Sequence, residues 1–186
     1  MLIGERIRLR RAEPKDADLA ASWFGDPAYL GDFYNIWPRS SSDWNTSFGN
    51  GPDDRETNGF YFIVRNETDE DIGTVGFLPY SVAWLRGLEL WWHVHPSARR
   101  EGIATQAARL LVNHLFDATP IQRLQATVIV GNEASVRVAR SAGMSLEGVH
   151  RGTYFLHGAY HDMELYSVVR GDWGDESNYR AGGRAF

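Results

Sequence analysis

The stretch HPSARREGIATQAARLL, residues 95–111, joins a proline-bearing loop to an amphipathic segment and crowds Arg99, Arg100, Gly102 and Ala104 at its start. The first turn of a helix leaves its N–H groups without intrahelical acceptors, and the aligned peptide dipoles add partial positive charge there. Gly102 removes a Cβ at the point where backbone would meet a ligand. The chemistry open to this stretch is therefore the seating of an anion such as a pyrophosphate. Just upstream, LELWWHV (residues 88–94) holds one carboxylate, Glu89, in an otherwise apolar run. Burial there raises a carboxyl pKa toward the range of a useful base. Alternation with Leu88 and Leu90 equally allows an exposed residue on the strand's outer face. His93 and His95 form H-x-H, which on a strand turns both rings to one face and suits zinc. No third ligand has diagnostic spacing among His150, His157 and His161, so no metal is expected.

These residues must be positioned by flanking elements. Residues 6–11 (RIRLRR) alternate with period two and predict a strand; 14–24, opening on Pro14, predict a helix. Residues 26–55 are rich in Gly, Pro, Ser, Asn and aromatics and predict short helical turns and loops. Strands are expected over 59–66, 72–80 and 86–94, forming an antiparallel meander. Ala104, Ala107, Ala108, Leu111 and Leu115 recur at helical spacing and place a helix to about Phe116. Residues 123–130 predict a strand and 132–142 a helix, with Asn132 as N-cap and Gly143 as stop. Residues 144–155 and 160–170 predict a closing strand pair. The order implies an α+β domain with one mixed sheet. The domain is expected over residues 1–173, with a mobile tail over 174–186.

Composition narrows the function classes. The 186 residues suit one domain, 43% hydrophobic and 23% charged. Net charge is −5, which disfavours nucleic acid and anionic membrane and suits a cationic partner such as an amine. There is no cysteine, which removes disulfides, thiolate zinc sites and a thiol nucleophile. No apolar run is long enough to span a bilayer and the N-terminus lacks signal-peptide character, so a cytoplasmic location is expected. Neither G-x-x-x-x-G-K-[ST] nor a complete G-x-G-x-x-G occurs, which withdraws support from ATP and dinucleotides.

Arg99-Arg100-Glu101-Gly102-Ile103-Ala104 resembles the [Q/R]-x-x-G-x-[G/A] signature of the GNAT N-acetyltransferases. It follows LELWWHVHP and precedes NEASVRVARSAGMSLEGV (132–149), a run similar to the ribosomal-protein N-terminal alanine acetyltransferase branch. RGTYFLHGAYHDMELYSVVRGDW is also similar to that branch, and the likeness covers roughly residues 5–173. The resemblance implies a mixed central sheet with helices on both faces and a splayed strand pair holding acetyl-CoA, the strand before the signature parting from its neighbour at a bulge. It implies direct acetyl transfer to a primary amine, either a peptide N-terminus or a small-molecule amine, by a monomer or homodimer.

The same resemblance assigns residues. Arg99, Arg100, Glu101, Gly102, Ile103, Ala104 and Thr105 would seat the pyrophosphate, and backbone near Trp92, His93 and Val94 would meet the thioester carbonyl. Glu101 departs from the family's usual basic residue, and a carboxylate facing a pyrophosphate repels it. Its side chain is therefore expected to point outward, leaving charge to Arg99 and Arg100, although Arg100 equally reads as a solvated surface residue. Glu89 is the candidate base, acting through water, with His93 as an aid to proton transfer. Ser135 is the candidate acid at the sulfur and a cofactor contact, with a plain helix-start residue as the alternative and Tyr154 and Tyr160 as other donors. Asn132 would touch the pantetheine arm while capping its helix. Phe33, Tyr34, Trp37 and Tyr154 are candidate walls for the acceptor, with Asp32, Asp43 or Asp162 attracting an amine. A non-catalytic acyl-CoA-binding or sensing module is the rival reading.

Overall fold

A computed structural model describes residues 1–49, 58–82 and 85–173. The strands are β1 (Leu2–Ile3), β2 (Ile7–Arg11), β3 (Gly59–Arg65), β4 (Asp71–Val82), β5 (Leu85–Val94), β6 (Arg123–Ile129), β7 (Ser145–Leu156) and β8 (Ala159–Val169). The α-helices are α1 (Ala17–Phe24), α2 (Pro27–Leu30), α3 (Ser41–Gly49), α4 (Ile103–Ala118) and α5 (Glu133–Ser141). The strands form one sheet in the order β1-β2-β3-β4-β5-β6-β8-β7. This is the α+β fold that the residue pattern implied, and β1 is the strand that the pattern missed. The expected mobile tail, residues 174–186, and the end of the 26–55 segment lie outside the described residues.

Period-two burial sorts the sheet's faces. Leu9, Ile63, Val75, Leu88, Leu90, Leu124, Ala126 and Val128 share one core with Ile103, Ala107, Ala108, Leu111 and Leu115 of α4 and Val136 and Ala139 of α5. Phe62 faces the other way and packs with Ala17 and Ala20 of α1 and Trp44 of α3. Helices therefore cover both faces. Local chemistry fixes the helix starts: Asp26 accepts the Ala28 N–H at 2.9 Å ahead of α2, and Asn132 accepts the Ser135 N–H at 3.1 Å ahead of α5.

β5 and β6 are parallel and share two rungs, Leu88↔Leu124 and Glu89↔Gln125. Beyond them β5 stays with β4 as far as Gly73↔Val94, and β6 stays with β8 as far as Ile129↔Met163. Each strand keeps its antiparallel partner and the two halves of the sheet diverge with its twist. The expected bulge on β5 is absent: its register against β4 is unbroken over the described rungs, so the splay arises from divergence.

Candidate active site

The divergence of β5 and β6 opens a cleft of about 300 Å³. Glu89 to His93 line it from β5, Ala126 to Ile129 from β6, and Asn132 and Ser135 from the start of α5. Leu30, Phe33, Tyr34 and Tyr154 close the opposite side. The His95 N–H bonds the Ile72 carbonyl at 2.9 Å, so the odd-numbered residues of this run face β4. Alternation then turns the backbone N–H groups of Trp92 and Val94 toward the splay. The Trp92 and Val94 N–H groups thus lie on the edge from which β6 has withdrawn, whereas that of His93, also expected near the thioester, faces β4.

Glu89 projects from the face opposite Leu88 and Leu90, whose side chains are 1% and 3% exposed in the core. It is half-buried and lines the cleft. Thr127 Oγ1 donates to its Oε1 at 2.5 Å and Gln125 Nε2 donates to its Oε2 at 3.2 Å. The exposed outer-face alternative therefore does not describe this residue. Each carboxylate oxygen retains acceptor capacity beyond the bond it makes.

At α4, Gly102 is the N-cap with φ = 78° and no side-chain cap. The first backbone bond of the helix is Gln106 N–H to Gly102 O at 3.0 Å, which leaves the N–H groups of Ile103, Ala104 and Thr105 without an intrahelical acceptor. A Cβ built on Gly102 would meet nothing within 4 Å, so the space beside this turn is open. Arg100 also lies in the left-handed region, φ = 67°, and is exposed. Successive N–H groups in such a turn form a concavity suited to an anion. Ile103 is 2% exposed in the core, so only its backbone can serve this turn, and Ala104 and Thr105 are half-buried beside it.

Two charged residues of the signature are otherwise engaged. Arg99 donates Nε to the Val94 carbonyl at 3.0 Å and Nη2 to the Ala28 and Tyr29 carbonyls at 2.8 and 2.7 Å. Its guanidinium ties α2 to the end of β5, unlike the expected phosphate ligand. The Glu101 carboxylate pairs with Arg65 at 3.0 Å and Arg6 at 3.3 Å. Arg65 holds this carboxyl below its ordinary range. It is turned onto these arginines, which satisfy its charge.

The acceptor side is aromatic. Tyr34 meets the His93 ring edge-on with centroids 4.8 Å apart, and Tyr29 stacks on it at 5.8 Å. Burial, followed by the charge of Arg99, lowers the His93 pKa from 6.5 to about 4, and its Nδ1 is buried without a hydrogen-bond partner. A ring with a pKa this low is a weak base, and His93 lines the cleft. The loop after α2 docks on β7: Asn35 N–H donates to Tyr154 Oη at 3.2 Å and Asn35 Nδ2 to the Phe155 carbonyl at 2.6 Å. Phe33, Tyr34 and Tyr154 line the cleft as expected, whereas Trp37 is 74% exposed and stands outside its lining. Asp43 bonds Ser40 and Asp162 bonds the Gly152 N–H, so both are engaged locally. Among the described residues no three His, Cys, Asp or Glu side chains are grouped to share a metal ion.

Sequence reasoning missed Gln125 and Thr127. The available signal was the alternation in RLQATVIV, where polar side chains at 123, 125 and 127 share a face; which strand that face meets depends on the parallel register.

Residues 6–145 match the acetyltransferase (GNAT) domain. The chain is 33% identical over 108 residues to the uncharacterized N-acetyltransferase YoaA of Bacillus subtilis, covering 58% of this chain and 60% of that protein. It is 27% identical over 176 residues to the uncharacterized N-acetyltransferase p20 of Bacillus licheniformis, covering 92% and 97%. Among solved structures, RimL, a ribosomal alpha-N-protein acetyltransferase in complex with coenzyme A, superposes with a TM-score of 0.77 at 22% identity, covering 90% of this chain and 96% of that one. The splayed strands, the glycine-started helix and a family match over most of the sequence agree: the chain belongs to the GNAT acetyltransferase family.

Proposed function

We infer that the chain is an N-acetyltransferase that moves an acetyl group directly from acetyl-CoA to a primary amine. The observation that supports this reading is the β5–β6 splay: Glu89 and Trp92 line its cleft, and strand alternation turns the Trp92 and Val94 N–H groups toward the opened edge. Acetyl-CoA supplies the acyl group as an activated thioester. The open N–H turn from Gly102 to Thr105 suits its pyrophosphate, with Arg100 adding positive charge. Asn132 caps α5 through its oxygen and offers its amide nitrogen to the pantetheine arm. The Trp92 and Val94 N–H groups polarise the thioester carbonyl. Glu89 takes the amine proton through water, and the Ser135 hydroxyl supplies a proton to the departing sulfur. No side-chain nucleophile is needed, in keeping with a chain that has no cysteine.

The acceptor enters between Tyr34 and Tyr154. A peptide α-amine is the first acceptor to test, supported by the sequence likeness to the ribosomal-protein branch and by RimL; a small-molecule amine is the second. The enzyme acts in the cytoplasm as a monomer or homodimer. In support of that location, no described helix is long and apolar enough to cross a membrane.

The test is thiol release from acetyl-CoA against N-terminal peptides and small amines, with wild type and Glu89→Gln side by side. Wild type should release CoA with at least one amine. Glu89→Gln should lower kcat about 100-fold, the lower range for a general base, with acetyl-CoA affinity within about twofold because the pyrophosphate seat is untouched. Tight acetyl-CoA binding without release for any amine would favour the sensing module.

A further inference from the structure

Glu89 is the base of the proposed function, and the following inference rests on that reading. Its carboxylate stands on the last parallel rung before the splay, where nothing in backbone pairing fixes the side chain. The fixing groups come from β6. Gln125, its register partner, is 8% exposed and donates Nε2 to Glu89 Oε2 at 3.2 Å. The other end of that carboxamide, Oε1, accepts from Arg123 Nη2 at 3.4 Å. Arg123 is gripped by the Glu147 carboxylate of β7, with Nη1 to Oε1 at 2.6 Å and Nη2 to Oε2 at 2.5 Å. Ser167 of β8 joins the same cluster, donating to Glu147 at 2.6 Å.

We propose that Gln125 is the positioning residue for Glu89, oriented by the Arg123–Glu147 pair so that its amide always presents a donor to the base. The chemistry of the partners allows one orientation. Arginine has only donors, so the Gln125 oxygen must face it; ionised Glu89 has only acceptors, so the Gln125 nitrogen must face that side. The chain thus runs acceptor to donor from Glu147 through Arg123 and Gln125 to Glu89. A hydrogen bond to a charged carboxylate favours that form, and here it also fixes where the carboxylate points. The other ionisable groups around it are Tyr80 of β4, whose phenol also interacts with Arg123, and His93 and Tyr154 on the cleft wall.

Removing the donor raises the energy of ionised Glu89 and leaves the amine and acetyl-CoA seats in place. The experiment measures kcat/KM against pH for wild type, Gln125→Leu, Gln125→Glu and Glu89→Gln, with acetyl-CoA affinity by calorimetry. Gln125→Leu should move the acidic limb upward by about half a unit, lowering kcat/KM about threefold on that limb and leaving the plateau at higher pH within about twofold. Gln125→Glu keeps the shape and the Arg123 contact but sets a carboxylate against a carboxylate, so its limb should rise by about one unit or more. Acetyl-CoA affinity should stay within about twofold for both. If Gln125→Leu fails to fold, the isosteric Gln125→Glu carries the same readout. An acidic limb that does not move in a variant binding acetyl-CoA normally, while Glu89→Gln is inactive, overturns the positioning role and leaves the base. Turnover that survives Glu89→Gln removes the base and the positioning role with it.

Discussion

Glu101 is a carboxylate in the turn proposed to hold phosphate, and its contacts explain how the chain accommodates it. Arg6 and Arg65 both bind it, and Arg6 also donates to its backbone carbonyl at 3.0 Å. The two arginines neutralise this carboxylate, and Glu67 and Glu70 also act on Arg65, so the cluster itself adds no surplus positive charge to the turn. Under the proposed function the backbone of the turn, more than any side chain, would hold the phosphate, which puts the weight on Gly102. Its φ of 78° and the open space at its Cβ position mean that a side chain there would occupy the ligand's place and strain the turn. Gly102→Val should weaken acetyl-CoA binding at least about tenfold in calorimetry. The strain costs about 1–2 kcal/mol of stability, leaving the protein folded. Wild-type affinity in that variant would rule out the turn as the pyrophosphate seat. Gly102 could be picked from its place in the sequence. The role of Arg99 could not, because the carbonyls it binds belong to Ala28 and Tyr29, about seventy positions away, and only the folded chain brings them within reach.

The strands were legible where burial is one-sided. Alternation in β2 and the amphipathic spacing of α4 gave their places closely, since each buries one face. β3, with Phe62 and Ile63 buried on opposite faces, was marked instead by its run of aromatic and β-branched residues. Alternation in β5 left Glu89 undecided, because period two gives two faces and does not say which one meets solvent. The answer lies in the neighbours: Leu88 and Leu90 go under α4, and the other face becomes the cleft wall. β4 carries a further signal in its glycines, which in a strand mark close approach. A Cβ on Gly76 would lie 2.3 Å from both the Gly59 carbonyl oxygen and the Trp91 ring, so the bare position lets Trp91 lie across β4 beside the cleft. Gly76→Ala should push the indole and the β3 backbone aside at about 1–3 kcal/mol, the usual range for overpacking. Chemical denaturation reads this as a lower midpoint with an unchanged slope. A midpoint equal to wild type would show that β3 and Trp91 give way without cost.

At the scale of the molecule, the sheet is two antiparallel units joined by two parallel rungs, Leu88↔Leu124 and Glu89↔Gln125, with α4 and α5 bridging them on one face. The first unit carries the free edge of β5, proposed to meet the thioester carbonyl; the second carries Ser135, Asn132 and the polar chain proposed to orient Glu89. A ligand lying in the splay touches both, so its binding energy adds to the weak seam between them. Anything that binds the native state alone stabilises it by RT ln(1 + [L]/Kd), about 2.7 kcal/mol at a hundredfold excess over Kd. For a chain of this size that corresponds to a rise in Tm of about 5–10 °C. Acetyl-CoA should produce such a rise. Hydrogen exchange should slow over residues 90–94 and 126–129 together, because both edges of the splay gain cover at once. Protection confined to one edge would mean that the ligand rests on one unit and does not bridge the cleft. The Gly102→Val protein separates the two contributions: at an acetyl-CoA concentration that saturates it, the splay edges should still be protected together, since the seam is closed by the acyl arm and not by the pyrophosphate.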